Sequence, residues 1–158
     1  MRRTVLKSKI HRATVTATNL DYEGSLTVDA DLLDAADILP NEQIHVWDVT
    51  NGTRLITYAL PGDRASGVVQ VNGAGAHLIK TGDIIIIATF TTLRTKDAKK
   101  HQPLVLFADE LNRSRDAEQV IAAADGDGPH PGEPADAPAA NGVTGKSRKR
   151  GKGPKSQA

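Results

Sequence analysis

Cysteine is absent from the 158 residues. That excludes disulfides and thiolate metal sites and leaves any nucleophilic chemistry to oxygen or nitrogen. Aromatic residues are scarce, with one Trp, two Tyr and two Phe, too few to build stacking platforms for nucleic-acid bases. No long apolar run opens the chain: Met1-Arg2-Arg3-Thr4-Val5-Leu6-Lys7 reaches charged residues before any stretch that could serve as a signal peptide or membrane span. A cytoplasmic protein with no membrane partner is the expectation. Helical periodicity is confined to one short segment, and there is no internal repeat. The length suits one domain plus appendages.

The net charge of +1 is a sum of unlike parts. Residues 1–115 hold 14 Lys/Arg against 13 Asp/Glu, residues 116–140 hold six acids and no base, and residues 141–158 hold six bases and no acid. Large apolar side chains nearly vanish after Ile121, so residues 116–158 are expected to form a disordered, acidic-then-basic tail that cannot bury enough surface to offset the entropy of ordering. The run Lys146-Ser147-Arg148-Lys149-Arg150-Gly151-Lys152 suits a solvated extension; contact with a nucleic acid or an acidic partner is the sharper alternative. The near-neutral core argues against a nucleic-acid module.

Residues 1–115 read as short strands with turn signals every 8–12 residues, the pattern of a small closed all-β barrel. Residues 4–18, ending in the β-branched alternation Thr14-Val15-Thr16-Ala17-Thr18, form the first strand. Leu26-Thr27-Val28 resumes strand character. Asp29–Ile38 fits a short capped helix stopped by Pro40. Glu42–Val49 is a strand that turns through a two-residue hairpin at Asn51-Gly52 into Thr53–Leu60. Val68–Val71 and the continuously apolar Ile84–Phe90 follow, and Val105-Leu106-Phe107 adds a last edge strand.

Gly24 and Ser25 join two extended segments at a sharp connection. Glycine tolerates backbone angles closed to other residues, and the serine hydroxyl lies one side chain from the carbonyl that precedes it. If the fold twists the bond, that hydroxyl can add to the Gly24 carbonyl and shift the acyl group from nitrogen to oxygen. Elimination and hydrolysis would then leave a pyruvoyl group, an electrophile made without a bound cofactor. Taken alone, the same pair suits a simple turn. The loop Asn72-Gly73-Ala74-Gly75-Ala76-His77 lacks the glycine spacing and Lys-Ser/Thr ending of a P-loop, but its small residues let backbone N–H groups approach an oxyanion. Strand periodicity places Arg54 and Tyr58 on one face with Thr57 on the other, offering a guanidinium for a carboxylate and a phenol for proton delivery. His11, His45 and His77 are too scattered for a metal site, and Lys9 by itself is any exposed base.

Together these motifs resemble the pyruvoyl-dependent aspartate 1-decarboxylase family over residues 1–110. The resemblance rests on Lys9-Ile10-His11-Arg12, Asp21-Tyr22-Glu23-Gly24-Ser25, Asp34-Ala35-Ala36, Asn41-Glu42, Trp47-Asp48-Val49-Thr50-Asn51-Gly52, Thr57-Tyr58-Ala59, Val71-Asn72-Gly73-Ala74, Ala76-His77 and Gly82-Asp83-Ile84-Ile85-Ile86-Ile87. It implies a double-psi β-barrel with short peripheral helices, assembled as a homotetramer with active sites between subunits. It also implies self-cleavage at Gly24-Ser25, with Ser25 becoming the pyruvoyl and Schiff-base residue, and decarboxylation of L-aspartate to β-alanine for pantothenate and coenzyme A synthesis. By position, Tyr58 matches the proton donor, Lys9 and Arg54 the groups that hold the substrate carboxylate, and Thr57 a residue used in both processing and substrate binding. Asn72 matches a residue near the processing bond, and Gly73, Ala74 and Gly75 the backbone cradle. Gly75 departs mildly, standing where alanine is frequent, and the tail after Arg115 lies outside the resemblance.

Overall fold

The computed structural model describes residues 1–115, so the proposed tail lies outside the described residues. Nine strands alternate with little helix: β1 (Arg2–Thr14), β2 (Ala17–Asn19), β3 (Leu26–Asp29), α1 (Ala30–Ala35), β4 (Gln43–Asp48), β5 (Arg54–Gly62), β6 (Val69–Asn72), a 3₁₀ turn (Gly73–His77), β7 (Ile84–Arg94), α2 (Thr95–Ala98), β8 (Leu104–Ala108) and β9 (Ser114–Arg115). The all-β expectation holds. The strand order is β2-β6-β3-β5-β4-β7-β1-β8-β9. Parallel pairs β1/β8, β2/β6 and β3/β5 require crossing connections of the kind a double-psi barrel predicts, since a tight hairpin can join only antiparallel neighbours.

Alternation sets the core. Ile10, Leu26, Val28, Ile44, Val46, Val69, Val71, Ile85 and Ile87 point inward and are at most 2% exposed, each contributing about 1.5–3 kcal/mol by removal from water. The strand that organises the site is β5. Its first half, Arg54–Tyr58, pairs antiparallel with β4, and its second half, Ala59–Gly62, pairs parallel with β3. Thr57 and Tyr58 therefore sit where β5 passes from pairing with β4 to pairing with β3.

Four local expectations need correction. The first strand does not run on through Thr18: bulges fall between Leu6 and Ser8 and between Ile10 and Ala13, Arg12 takes a φ of +62°, and Ala17–Asn19 leaves β1 to pair with β6. The helix is six residues rather than ten, because Asp37 turns left-handed (φ +52°) and closes it with Asp37 N–H to Asp34 C=O and Ile38 N–H to Leu33 C=O, a Schellman arrangement formed before Pro40. Its start is as expected, with the Asp29 carboxylate accepting the Asp31 N–H at 2.9 Å. Asn51-Gly52 is not a two-residue hairpin. The Asp48 carboxylate collects the Thr50 and Asn51 N–H groups and widens the connection, and the Gly52 N–H bonds the Asp48 carbonyl. Finally, β8 is not an edge: β9 covers it through Phe107↔Arg115 and Ala108↔Ser114.

No helix among the described residues is long and apolar enough to cross a membrane.

Candidate active site around Ser25

Strand register brings the site together. Leu26 is opposite Ala59 on one side and Val71 on the other, so Ser25, one residue earlier, is flanked by Tyr58 of β5 and Asn72 of β6. Both flanking residues use the proximity. The Asn72 N–H donates to the Ser25 carbonyl at 3.0 Å, and the Asn72 Nδ2 donates to Ser25 Oγ at 3.2 Å and to Thr27 Oγ1 at 3.0 Å. The Tyr58 hydroxyl donates to the Glu23 carbonyl at 3.0 Å.

The backbone here is unusual. Gly24 has a φ of +46° and its N–H closes back on the Tyr22 carbonyl at 2.7 Å. Ser25 has a φ of +93°, a value that costs a non-glycine residue on the order of 1–3 kcal/mol and persists only where surroundings impose it. Ser25 is 4% exposed and Asn72 2%. Gly73 is part of that constraint: at a φ of +57°, a Cβ on it would stand 2.8 Å from both Gly24 Cα and Gly24 N. Only a residue without a side chain lets the 3₁₀ turn lie against the Gly24 backbone.

Gly24, Ser25, Thr57, Asn72, Ala74 and Gly75 line a cavity of about 250 Å³, closed on its apolar side by residues that include Leu55 and Leu78. The structure thus brings together six of the residues read from the sequence, with Gly73 packed behind them and Tyr58 at the Glu23 carbonyl. Two others are not brought in. Arg54 packs its guanidinium over the Trp47 ring, 5.1 Å from the centroid, and Lys9 lies on β1. Lys9 pairs with Ala88, Ala88 with His45, and His45 with Ile56. Directly opposite residues share a face, so Lys9 shares the sheet face of Ile56 but stands three strands away from β5 along the sheet. Among the described residues neither Lys9 nor Arg54 forms an ion pair.

Over residues 1–115 the chain matches the family model described as aspartate decarboxylase. The chain belongs to the aspartate decarboxylase family. Across 113 residues it is 57% identical to the aspartate 1-decarboxylase of Myxococcus xanthus (strain DK1622), covering 72% of this chain and 87% of that protein. Family membership makes the chain a decarboxylase.

Electrostatics in this aspartate decarboxylase family member are uneven. Burial holds the Lys9 ammonium below the usual lysine range. His11, two residues on and on the same strand face, is also lowered, first by burial and then by the Lys9 and Arg12 charges. Its buried Nδ1 has no hydrogen-bond partner. Sequence reasoning missed Gln70, whose Nε2 donates to Asn72 Oδ1 at 2.7 Å. The available signal was period two: on an extended strand Gln70 and Asn72 share a face.

Proposed function

We propose that the chain cleaves its own Gly24–Ser25 bond, converts Ser25 to a pyruvoyl group, and uses that group to decarboxylate L-aspartate to β-alanine, the step that feeds pantothenate and coenzyme A synthesis in the cytoplasm. The observation that carries the reading is Ser25 itself: a nucleophilic residue held at a left-handed φ, buried, directly after a glycine and with its hydroxyl hydrogen-bonded. Ser25 Oγ adds to the Gly24 carbonyl carbon. The C–N bond then breaks as the hydroxyl proton passes to the Ser25 nitrogen, leaving an ester. Loss of the Ser25 α-proton expels the Gly24 carboxylate and gives dehydroalanine at position 25, and addition of water with release of ammonia yields the ketone.

The surroundings fit a pyruvoyl group at position 25. Small residues at 74 and 75 line the same space as Ser25 and leave room, and the Asn72 amide is directed at Ser25 Oγ. When present, the group supplies an electron sink for loss of carbon dioxide. Tyr58, whose hydroxyl bonds the Glu23 carbonyl next to Gly24, is the proton donor to the substrate carbon, and Thr57 contributes to both processing and substrate binding. Arg54 and Lys9 hold the substrate carboxylate, and because β4 and β7 stand between β5 and the strand that carries Lys9, Lys9 serves the cavity of a second copy. That placement, with Ile56 60% and Phe90 38% exposed on the same surface, supports a homotetramer whose active sites lie between subunits.

Intact-mass measurement of the purified chain is the test. Two fragments are expected, the larger lacking a free α-amine and releasing carbon dioxide from L-aspartate, whereas Ser25→Ala stays whole and inactive. Two fragments from Ser25→Ala would refute the maturation route.

A further inference from the structure

Asn72 presents its amide to two hydroxyls, Ser25 Oγ at 3.2 Å and Thr27 Oγ1 at 3.0 Å. A hydroxyl can donate or accept, so these two partners are satisfied whichever end of the amide they meet. What engages the other end is Gln70: its Nε2 donates to Asn72 Oδ1 at 2.7 Å, the shortest contact in the network. With Oδ1 occupied by that donor, Nδ2 faces Ser25.

The polarity matters for the chemistry. When Nδ2 donates to Ser25 Oγ, the serine proton is left free to move to the Ser25 nitrogen as the C–N bond breaks. With the amide reversed, Oδ1 would hold that proton, away from the nitrogen that must receive it. We propose that Gln70 is a positioning residue for self-cleavage, fixing the donor end of Asn72 on the Ser25 hydroxyl. This rests on the self-processing reading and deepens it by naming the device that sets the hydrogen-bond direction at the nucleophile. Gln70 is opposite Thr27 across β6/β3 and opposite Ala17 across β6/β2, so the backbone that carries the amide is clamped on both edges, and the amide itself engages Asn72 Oδ1.

The test compares cleavage time courses, read by intact mass, for the full wild-type chain, Gln70→Glu and Gln70→Lys. An ionised carboxylate only accepts and so attracts Nδ2, turning Asn72 end for end, whereas an ammonium only donates and preserves the observed direction. Gln70→Glu is expected to cleave about tenfold more slowly or worse at pH 7.5, a loss in line with one reversed hydrogen bond at a charged partner. It should regain rate relative to wild type as the pH falls toward about 4.3, where the introduced acid becomes a donor. Gln70→Lys should stay near the wild-type rate. Each substitution is also placed on Ser25→Ala, which cannot cleave, and its thermal midpoint recorded there. Equal rates for all three chains, or equal slowing of both variants in step with their thermal midpoints, would overturn the role of Gln70. A wild-type chain that never cleaves would overturn the self-processing reading itself.

Discussion

Gly73→Ala is the sharpest perturbation of the site, because its effect passes directly to the Gly24–Ser25 backbone. The added Cβ would lie 2.8 Å from Gly24 Cα, 2.8 Å from Gly24 N and 3.1 Å from the Tyr22 carbonyl oxygen. Ordinary carbon contacts need about 3.5–4.0 Å, so roughly 0.7 Å must be found, and the neighbours are main chain rather than the end of a flexible side chain. Holding alanine at a φ of +57° costs about 1–2 kcal/mol, and the overpacking a further 1–3 kcal/mol or so. The sum, roughly 2–5 kcal/mol, is a large share of a stability of about 5–15 kcal/mol. It corresponds to a fall in thermal midpoint of at least about 8 °C. The measurement belongs on Ser25→Ala, where cleavage cannot confuse it. With Ser25 present, displacing Gly24 by a good part of an ångström should slow cleavage about 10–100-fold, given the sensitivity of attack to such misplacement. Gly75→Ala is the matched comparison: its Cβ would meet only the Val71 and Leu55 methyls, at 3.0 and 3.4 Å, with no positive φ. It should change stability by less than about 1 kcal/mol. If Gly73→Ala melts and cleaves like Gly75→Ala, the close approach of the 3₁₀ turn to Gly24 is not what shapes this site.

Asn112→Ala removes a buried clasp in which Oδ1 accepts the Thr14 N–H at 2.7 Å and Nδ2 donates to the Thr14 and Gly67 carbonyls at 2.8 Å. Leaving those groups unpaired should cost about 2–4 kcal/mol in urea unfolding, and a change below about 0.5 kcal/mol would contradict it. Tyr58→Phe should leave cleavage intact while cutting turnover by about 10²–10⁴-fold, the usual worth of a positioned acid, and a fully active variant would end the proton-donor assignment. His11 titrates lower in the folded chain than its ordinary value because burial, Lys9 and Arg12 disfavour its cation. Its contribution to stability is therefore complete above about pH 6.5 and is lost as the pH falls below that, when the unfolded chain takes up a proton that the fold resists. His11→Phe, which keeps an aromatic ring against Phe107, should flatten the stability profile below about pH 6.5. An unchanged slope would show that the acid sensitivity comes from elsewhere.

Several features were legible in the chain because they are local. Alternation in Gln43–Asp48 and the apolar run at Ile84 identify strands whatever surrounds them. Asp29 caps its helix as its position foretells. The failures were also local, wherever short-range hydrogen bonds or a nearby segment overrode the pattern of turn and breaker residues. The Asp48 carboxylate reshaped the Asn51-Gly52 connection, Asp37 stopped a helix three residues before Pro40, and β9 closed over the strand that ended the apolar pattern.

The sequence by itself determined the chemical inventory. There is no thiol, a glycine precedes a serine between two strands, and an arginine and a tyrosine share one face of a third strand. It could not supply distance. That Ser25 lies between Tyr58 and Asn72 follows from a register linking β3 to β5 and β6, which brings in residues 33 and 47 positions further along the chain. That Lys9 is not among the residues lining the cavity follows from the order β5-β4-β7-β1, which sets it three strands from β5. Register and strand order are set by which apolar faces must be buried against each other, a property of the assembled sheet rather than of any one strand. For that reason period two could place Gln70 and Asn72 on one face, but only the tertiary structure set that pair against Ser25.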